Sequence, residues 1–406
     1  MTGFLVVGWR RGDLAKVSAL GVDFTVVAMA AELADPELAD ADTIVCDDIR
    51  DPTTLAGALI RAGVGRDRFS HVYTDRESAI IATAFLGEYF GDDRICLRTA
   101  FAMRDKSLQK GLIRDAGLPV ARHALLASTV RDPAEAVGGL PYPMVVKPVT
   151  ASSTAGVTVV RSAAELRAVV AGLRATAHGR QPLLAEEFVT GTELHADGIV
   201  ADGRLTFMSV SRYLGNALGI RDGTALSSVV LREARHVALF RETRRLAAAS
   251  LAALGLRRGV FHLEFFDTGH GLVFSECGAR PGGAMIVEAV AETYGLDLSS
   301  AGFALAAGQA PRPPAAQAAQ DFGWCNLPSP PGRLLRAPSE RDLLGLPWVV
   351  GVRLDHQLGS VVPDNRLTIA NKLGMALVTG PGEAEVQQRI ADTVAYVRSR
   401  VEVAAT

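Results

Sequence analysis

Blocks of apolar and polar residues at the start of the chain predict a parallel α/β sheet. Residues 3–8 and 22–29 are apolar runs typical of buried strands, and the segment 14–20 between them has a helical pattern. Further predicted elements are a strand at 42–46, a helix at 54–62, a strand at 71–74 and a helix at 77–89. We therefore expect an open α/β unit to about residue 98. It lacks a GxGxxG loop, so a dinucleotide site has little support.

The pattern changes after this unit. Residues 99–120 predict one helix with basic residues along it, ended by glycine and proline. Residues 143–149 and 157–160 then predict a hairpin whose tip, TASSTAG at 150–156, is small and flexible.

Most of the remaining chain predicts hairpins. The predicted strands lie at 183–189, 193–200, 204–210, 259–266, 272–276, 348–353 and 375–378. A Pro/Ala/Gln-rich stretch at 310–320 is typical of a loose connection. We expect the last 80 or so residues, with a terminal helix from about Glu383, to form a cap on the preceding sheet.

The predicted fold class is α/β and α+β. An N-terminal open parallel unit covers residues 1–98, a small subdomain with the flexible tip covers 99–190, and a large subdomain with an antiparallel sheet and the cap covers 191–406.

Composition excludes several classes of function. The 406 residues carry a formal net charge of −2, which provides no global field to attract nucleic acid or an anionic membrane. The four cysteines are far apart and form no CxxC pair, which argues against a zinc knuckle or a disulfide scaffold. The first apolar run is too short for a signal peptide, and no later run approaches the length of a membrane span. We expect a soluble cytoplasmic protein.

Two acidic side chains in the hairpin 259–276 give the clearest chemical indication. If Phe266 lies opposite Leu272, the two-residue period of a strand directs four side chains to one face. These four are His262, Glu264, Phe274 and Glu276.

In that register Glu264 faces Phe274 and Glu276 faces His262, so the two glutamates are diagonal neighbours with β-carbons roughly 7 Å apart. They could bind one cluster of hard cations such as Mg²⁺. The alternative is a solvated strand face that happens to be acidic. Arg280, four residues after Glu276 and followed by PGG, favours the site because a guanidinium can fork onto phosphate or carboxylate oxygens.

Two lysines have a sequence context suited to nucleotide phosphates. Lys106 begins a helix in MRDKS, and Lys147 lies among apolar neighbours in VVKP, where a buried ammonium needs an anionic partner. The tip at 151–156 could cover phosphates and offer backbone N–H donors. Taken singly, the lysines could be surface residues and the tip an ordinary flexible turn.

A third segment, EEFVTGTEL at 186–194, could contact a nucleoside. Its strand end can present backbone groups to a purine edge, and Glu193 could accept hydrogen bonds from ribose hydroxyls. By itself, the segment is more typical of an ordinary acidic strand and turn.

In sequence order these motifs resemble the ATP-grasp superfamily. They are RDK, VVKP, SSTAG, EEFV, GTEL, HLEF and ECGARPGG. The resemblance covers nearly the whole chain, and within the superfamily it is greatest to the L-amino acid ligases, which join a carboxylate to an amine. It implies an ATP-grasp fold in which the small subdomain contains the phosphate lid loop and the large subdomain contains the metal site.

The resemblance also implies roles for individual residues. The implied ATP-binding residues are Lys106, Lys147, Ser152, Ser153, Gly156, Glu186, Glu187, Val189 and Glu193. The implied metal ligands are Glu264 and Glu276, for Mg²⁺ or in its place Mn²⁺. The implied catalytic residues are Arg280 and Lys147, and the implied substrate-binding residues are His262, Arg280, Gly282 and Gly283. His262 could equally be a structural histidine.

One position departs from the family pattern. The family usually has Glu-x-Asn-x-Arg at the metal site, and Gly278 stands at the Asn position. A water molecule or a backbone carbonyl would then replace the neutral oxygen that Asn gives to the second Mg²⁺.

Three functions fit this set of motifs. The first is a ligase that phosphorylates an amino-acid carboxylate and couples it to an amine. The second retains the chemistry but has another acceptor, as in purine-pathway or carboxylase-type enzymes, although the chain contains no biotin-carrier segment. The third is a nucleotide-binding protein without turnover. Small-molecule substrates are the expected partners, a homodimer is compatible with the family, and candidates for substrate choice are Arg212, Tyr213 and Arg221.

Overall fold

The N-terminal sheet is parallel, as the apolar blocks predict. In chain order this unit contains β1 (Gly3–Val7), α1 (Asp13–Ser18), β2 (Phe24–Met29), β3 (Thr43–Cys46), α2 (Pro52–Arg61), β4 (Phe69–Tyr73) and α3 (Ile80–Phe90). The strand order is β3-β2-β1-β4, so the connections reverse direction at the β1/β4 pair. A short 3-10 helix, Glu77–Ala79, follows the carboxyl end of β4. Ligands commonly bind beside such a reversal.

The computed structural model describes residues 3–92, 94, 96–151, 155–176, 181–215, 225–314, 317–364 and 372–405.

Two helices occupy the segment predicted as one, so the prediction for residues 99–120 was wrong. They are α4 (Leu97–Ala102) and α5 (Lys106–Asp115). Asp105 separates them because its Oδ1 accepts hydrogen bonds from the backbone N–H groups of Ser107 and Leu108, both at 2.9 Å, and so caps a new helix. This cap puts Lys106 in the first turn of α5.

The small subdomain is an antiparallel sheet with helices on it. Its elements are β5 (His123–Leu126), α6 (Pro133–Ala136), β6 (Met144–Pro148), β7 (Thr158–Val160), α7 (Ala163–Arg174) and β8 (Leu183–Glu187). The strand order is β5-β8-β6-β7. Lys147 is on β6, which pairs antiparallel with β7.

A long antiparallel sheet organises the rest of the chain. The elements are β9 (Thr192–Ala201), β10 (Arg204–Tyr213), β11 (Ser227–Val230), α8 (Val237–Leu254), β12 (Gly259–Asp267), β13 (Leu272–Gly278), α9 (Ile286–Tyr294), α10 (Leu298–Ala306), β14 (Asp321–Leu327), β15 (Gly332–Arg336), α11 (Glu340–Leu344), β16 (Val349–Leu354), β17 (Val361–Val362), β18 (Gly374–Gly380), α12 (Glu383–Arg398) and β19 (Glu402–Ala404). Eight strands pair in the order β13-β12-β9-β10-β11-β14-β18-β16.

The C-terminal segment was predicted as a cap, and this prediction was wrong in part. Strands β14, β18 and β16 continue the large sheet edge to edge, because backbone pairing there satisfies the N–H and C=O groups of β11. A separate three-stranded sheet has the order β17-β15-β19. No described helix combines the length and the apolar character that crossing a membrane requires.

Strand β9 has one apolar face and one polar face, and both are buried. Leu194 and Ala196 pack in a core that includes Phe240 of α8. The alternate residues His195 and Asp197 point to the other face and are fully buried. A buried polar row therefore lies beside β12, the strand that carries Glu264.

Candidate functional site

One cavity lies where the three parts of the chain meet. Its lining includes Glu77 of the N-terminal unit together with residues of the small subdomain and the large sheet. The sequence-predicted residues that line it are Lys106, Lys147, Glu186, Glu187, Val189, Glu193, His262, Glu264, Glu276 and Arg280. The structure thus brings together most of the predicted site.

Glu264 and Glu276 lie directly opposite each other on β12 and β13. The predicted diagonal register was wrong. The hairpin closes with Asp267 opposite Leu272, which by itself would put Glu264 opposite Ser275 and turn Glu276 to the other face. Ser275 is an extra residue in β13, and this β-bulge returns Glu276 to the face of Glu264.

Glu264 is held by two hydrogen-bond donors. Its Oε1 accepts from Tyr213 Oη at 3.1 Å and lies 3.3 Å from His262 Nε2. Burial favours a higher pKa for Glu264, but the hydrogen bond and the charge of His262 outweigh it and lower that pKa to about 2. Glu276, by contrast, forms an ion pair of 2.7 Å with Lys106 Nζ. Both carboxylates are therefore oriented toward cationic partners around the cavity.

A buried hydrogen-bonded chain lies behind Glu264. His262 Nδ1 is 2.8 Å from Asp197 Oδ1, and His195 Nδ1 is 2.5 Å from Asp197 Oδ2. His195 Nε2 is 2.8 Å from Ser228 Oγ. The two histidines and Asp197 could together meet one cation. Asp197 instead gives one oxygen to each imidazole, which is the pattern of a hydrogen-bonded chain.

The charges of Asp197 and His262 in this hydrogen-bonded chain stabilise each other. Burial favours a higher pKa for Asp197, but His262 and His195 hold that pKa well below its usual range. Burial also favours a lower pKa for His262, yet Asp197 and then Glu264 raise it to about 10. Sequence reasoning missed His195 and Asp197. The available indication was their alternation with apolar residues in ELHADG, on the same strand face as Glu193.

Glu186 joins two buried lysines. Its carboxylate oxygens lie 2.5 Å from Lys147 Nζ and 2.9 Å from Lys110 Nζ, and Lys110 also donates to the Ser275 carbonyl at 2.9 Å. Against burial, the two ammonium groups lower the pKa of Glu186 to about 2. Burial lowers the pKa of Lys110, whereas at Lys147 the attraction of Glu186 outweighs burial and raises the pKa.

These contacts refine two predictions. The Glu186 side chain, expected in the adenine hinge, forms ion pairs with the two lysines instead. Glu187 forms an ion pair of 3.0 Å with Arg122. Lys110 was not predicted, although it lies one helical turn after Lys106 and shares its face of α5.

Arg280 pairs with a residue of the N-terminal unit. Its Nε donates to Glu77 Oε2 at 2.8 Å and its Nη2 donates to the same oxygen, while Arg104 Nη1 donates to Glu77 Oε1 at 3.1 Å. Against burial, Arg280 and then Lys106 lower the pKa of Glu77 to about 2. Sequence reasoning missed Glu77 because it belongs to none of the motifs and lies 203 positions from Arg280.

The predicted glycines and the remaining predicted residues differ in whether they line the cavity. Gly282 and Gly283 are outside the cavity lining, and a Cβ on Gly282 would lie 2.6 Å from Asp197 Oδ1, so close packing requires glycine there. Gly156 has a positive φ of 72° and is flanked by lining residues, whereas Tyr213 lines the cavity and Arg212 does not. Outside the described residues lie Ser152, Ser153 and Arg221.

The donor set between β12 and β13 fits Mg²⁺. Two carboxylates from opposite strands supply the hard oxygen ligands that this ion prefers. The three atoms nearest to a Cβ added at Gly278 all belong to the Arg280 side chain, the nearest 3.6 Å away, so a Cβ fits there in ordinary van der Waals contact.

Known ATP-grasp proteins are similar to this chain in sequence. Residues 140–288 match the model of the ATP-grasp domain. The chain is 25% identical over 352 residues to the L-arginine-specific L-amino acid ligase of Bacillus subtilis, covering 86% of this chain and 84% of that protein.

Two solved structures have the same fold. The L-amino acid ligase from Bacillus licheniformis has a TM-score of 0.78 at 17% identity, over 100% of this chain and 99% of the other. Carboxyaminoimidazole ribonucleotide synthase from Aspergillus clavatus, solved in complex with ATP, has a TM-score of 0.73 at 17% identity, over 98% and 99% of the two chains. The predicted fold class is therefore confirmed. The chain has the ATP-grasp fold, contains an ATP-grasp domain at residues 140–288 and resembles L-amino acid ligases.

Proposed function

We propose that this protein is an ATP-dependent ligase that phosphorylates the carboxylate of an amino acid and couples it to an amine. The products are an amide or peptide bond, ADP and phosphate. The observation that carries the proposal is the direct pairing of Glu264 with Glu276 beside Lys106, Lys147 and Arg280 in one cavity. This set combines metal ligands with phosphate-binding cations.

The lysines supply charge for nucleotide phosphates. Lys106 and Lys147 already form ion pairs with Glu276 and Glu186, so the cavity keeps its cations neutralised by its own carboxylates. Phosphate oxygens would compete for these ammonium groups, as Mg²⁺ would for the carboxylates. Val189 and Glu193 line the same cavity and are our candidates for contacts to the nucleoside.

In the first step a carboxylate oxygen of the substrate attacks the terminal phosphorus of ATP, and the bond from this phosphorus to ADP breaks. Lys147 neutralises charge on the transferring oxygens. Mg²⁺ bound by Glu264 and Glu276 would supply further neutralisation. The acyl phosphate that results has a good leaving group, which the free carboxylate lacks.

In the second step the amine attacks the acyl carbon, phosphate leaves, and the amine loses a proton. Arg280 is suited to donate hydrogen bonds to the oxyanion that develops, because a preorganised cation in a buried site stabilises such charge strongly. Enclosure of the site would also protect the acyl phosphate from water.

The amino-acid substrate is supported by the similarity to the Bacillus subtilis ligase, which extends over most of both chains. The similarity in fold to carboxyaminoimidazole ribonucleotide synthase favours the second candidate, an ATP-grasp enzyme with another acceptor. The two differ in which small molecule triggers turnover.

A phosphate-release screen separates them. Purified protein with MgATP would be incubated with pairs of amino acids, and products would be identified by mass spectrometry. We expect amino-acid-dependent release of phosphate with a dipeptide or amide of matching mass. Release only with non-amino-acid acceptors would support the second candidate, and no release above the ATP-only rate with any acceptor would support a nucleotide-binding protein without turnover.

A further inference from the structure

The contact between Glu77 and Arg280 joins two parts of the chain at the chemical centre. Glu77 follows β4 at the carboxyl edge of the N-terminal sheet, and its side chain is 13% exposed. Arg280 follows β13 and lines the cavity together with Glu77. A carboxylate from the N-terminal unit therefore holds a guanidinium that belongs to the ATP-grasp domain.

The hydrogen bonds leave a defined part of the guanidinium available. Arginine has five N–H donors. Nε and one N–H of Nη2 bind Glu77, and one N–H of Nη1 binds the Pro281 carbonyl at 2.9 Å. Among contacts with the described residues, one N–H on each terminal nitrogen remains. This pair can fork onto two oxygens of a phosphate or carboxylate.

Glu77 is itself fixed from the other side. Arg104, which follows α4, donates to its second oxygen at 3.1 Å, and the Arg104 side chain is as buried as that of Glu77. The carboxylate thus accepts three hydrogen bonds from two arginines, which leaves about one of its four acceptor positions and makes it a weak receptor for a substrate ammonium group. Glu77 is therefore better suited to fix the position of Arg280 than to bind a substrate.

Other anions compete for Arg280. Burial favours a lower pKa for this guanidinium, and Glu77, followed by Glu276 and Glu264, raises it. Without Glu77, the carboxylates that attract Arg280 would be the two proposed metal ligands. Glu77, which accepts hydrogen bonds from Nε and Nη2, therefore competes with the proposed metal ligands for this guanidinium.

We infer that Glu77 is a positioning residue that orients Arg280 so that its two remaining N–H groups receive an oxyanion of the reaction. The inference rests on the proposed function in identifying that oxyanion as the acyl phosphate or the tetrahedral intermediate. It extends the active site to the N-terminal unit.

Binding of inorganic phosphate to the protein saturated with MgADP tests this inference without turnover. Isothermal titration calorimetry would compare wild type with Glu77→Gln, which keeps the shape and removes the charge. We expect phosphate affinity to fall by about tenfold or more, with MgADP affinity changed by less than about twofold, because misdirection of a group by about 1 Å can cost two orders of magnitude in function.

The sign of the effect separates positioning from simple electrostatics. Removing a carboxylate raises the positive potential near Arg280, and through charge alone it would strengthen phosphate binding. Unchanged or tighter binding by Glu77→Gln would therefore overturn the inference.

Glu32→Gln is the matched control. Glu32 also belongs to the N-terminal unit, is also 13% exposed, and pairs with Arg76 at 3.3 Å outside the cavity lining. We expect its phosphate affinity to equal that of wild type. If both variants lost affinity in parallel with a lower melting temperature, the role of Glu77 would be structural and the inference would fail.

A double-mutant cycle assigns the effect to the pair. In an Arg280→Met background, Glu77→Gln should cause no further loss of phosphate affinity, because interacting residues are not additive. Additive losses would contradict the inference. Should Glu77→Gln fail to fold, Glu77→Asp, which retains the charge on a shorter side chain, serves in its place with a smaller expected loss.

In turnover, Glu77→Gln should lower kcat about 10- to 100-fold and leave the KM for ATP unchanged. A wild-type protein that binds phosphate in the MgADP complex but forms no amide would refute the proposed function alone. A wild-type protein that forms amide while Glu77→Gln retains phosphate affinity would refute the inference alone.

Discussion

Glu264 and Glu276 face each other directly across β12 and β13, and they share a face because Ser275 is an extra residue between Phe274 and Glu276. The bulge brings two carboxylates to one point beside Lys106 and Lys147. Bulges of this kind occur frequently next to active sites, where they redirect a side chain.

Replacing Glu276 by alanine should abolish phosphate release in the presence of substrates, to below about 1% of wild type, because removing one preorganised electrostatic group commonly costs 100-fold or more. The far-UV circular dichroism spectrum should remain that of wild type, since the Glu276 side chain is 29% exposed and Lys106 keeps its hydrogen bond to the Ala151 carbonyl. Glu385→Ala, which removes a surface pair with Arg389, should retain full activity. Substantial activity in Glu276→Ala would contradict the metal-ligand role.

Gly278→Asn should restore the neutral oxygen of the family pattern. We expect the Mg²⁺ concentration for half-maximal activity to fall severalfold, because an amide oxygen is a suitable ligand for this ion. Gly278→Ala is the control, since it adds the same Cβ, 3.6 Å from the Arg280 side chain, without an oxygen. Equal Mg²⁺ dependence in the two variants would show that Gly278 does not adjoin the second ion.

Asp197→Asn should reduce the free energy of unfolding by about 3 kcal/mol near neutral pH, because it leaves a buried imidazolium without its anion. The pKa of His262 is raised to about 10 from 6.5, so the contribution of this pair is complete below pH 6.5 and is lost as pH rises toward 10. Urea unfolding of both proteins should therefore show a difference that shrinks between pH 6.5 and 10. A difference that does not change with pH would refute a charged His262.

Glu186→Gln should lower the free energy of unfolding by about 3 kcal/mol, because Lys110 and Lys147 then lack a carboxylate in a buried position. Adding Lys110→Met should recover part of that loss by removing one unpaired charge. The neighbouring Glu187→Gln should change stability by less than about 1 kcal/mol, since its pair with Arg122 is largely exposed. Denaturant titration measures all three. Equal effects of Glu186→Gln and Glu187→Gln would contradict the internal pairing.

Local periodicity was sufficient to predict the strands that carry the site. Two-residue alternation along β12 correctly put His262 and Glu264 on one face, whereas Glu276 reaches that face only through the bulge, and Phe274 lies opposite Phe265 on the other face. The apolar neighbours of Lys147 indicated a buried cation that needs an anion. The bulge at Ser275 could not be predicted from the apolar pattern. A hairpin loop that is shorter by one residue on one strand, combined with one extra residue in the other strand, leaves Glu276 on the same face as Glu264.

Contacts between distant parts of the chain were inaccessible for another reason. Glu77 meets Arg280 only after the N-terminal unit packs against the large sheet. Lys110 meets Glu186, and Asp197 meets His262, through elements that are far apart along the chain, and no spacing rule links such positions. Each looks like an ordinary charged residue in its own segment.

Because Glu77 acts on Arg280 across the boundary near residue 98, the N-terminal unit is not an exchangeable module. A chimaera that takes residues 1–98 from a relative would need an acidic side chain just after its fourth strand. The carboxylate of that side chain would have to lie within hydrogen-bond distance of the Arg280 guanidinium. Designs that shuffle these units to alter substrate choice should therefore keep the two residues together as a matched pair.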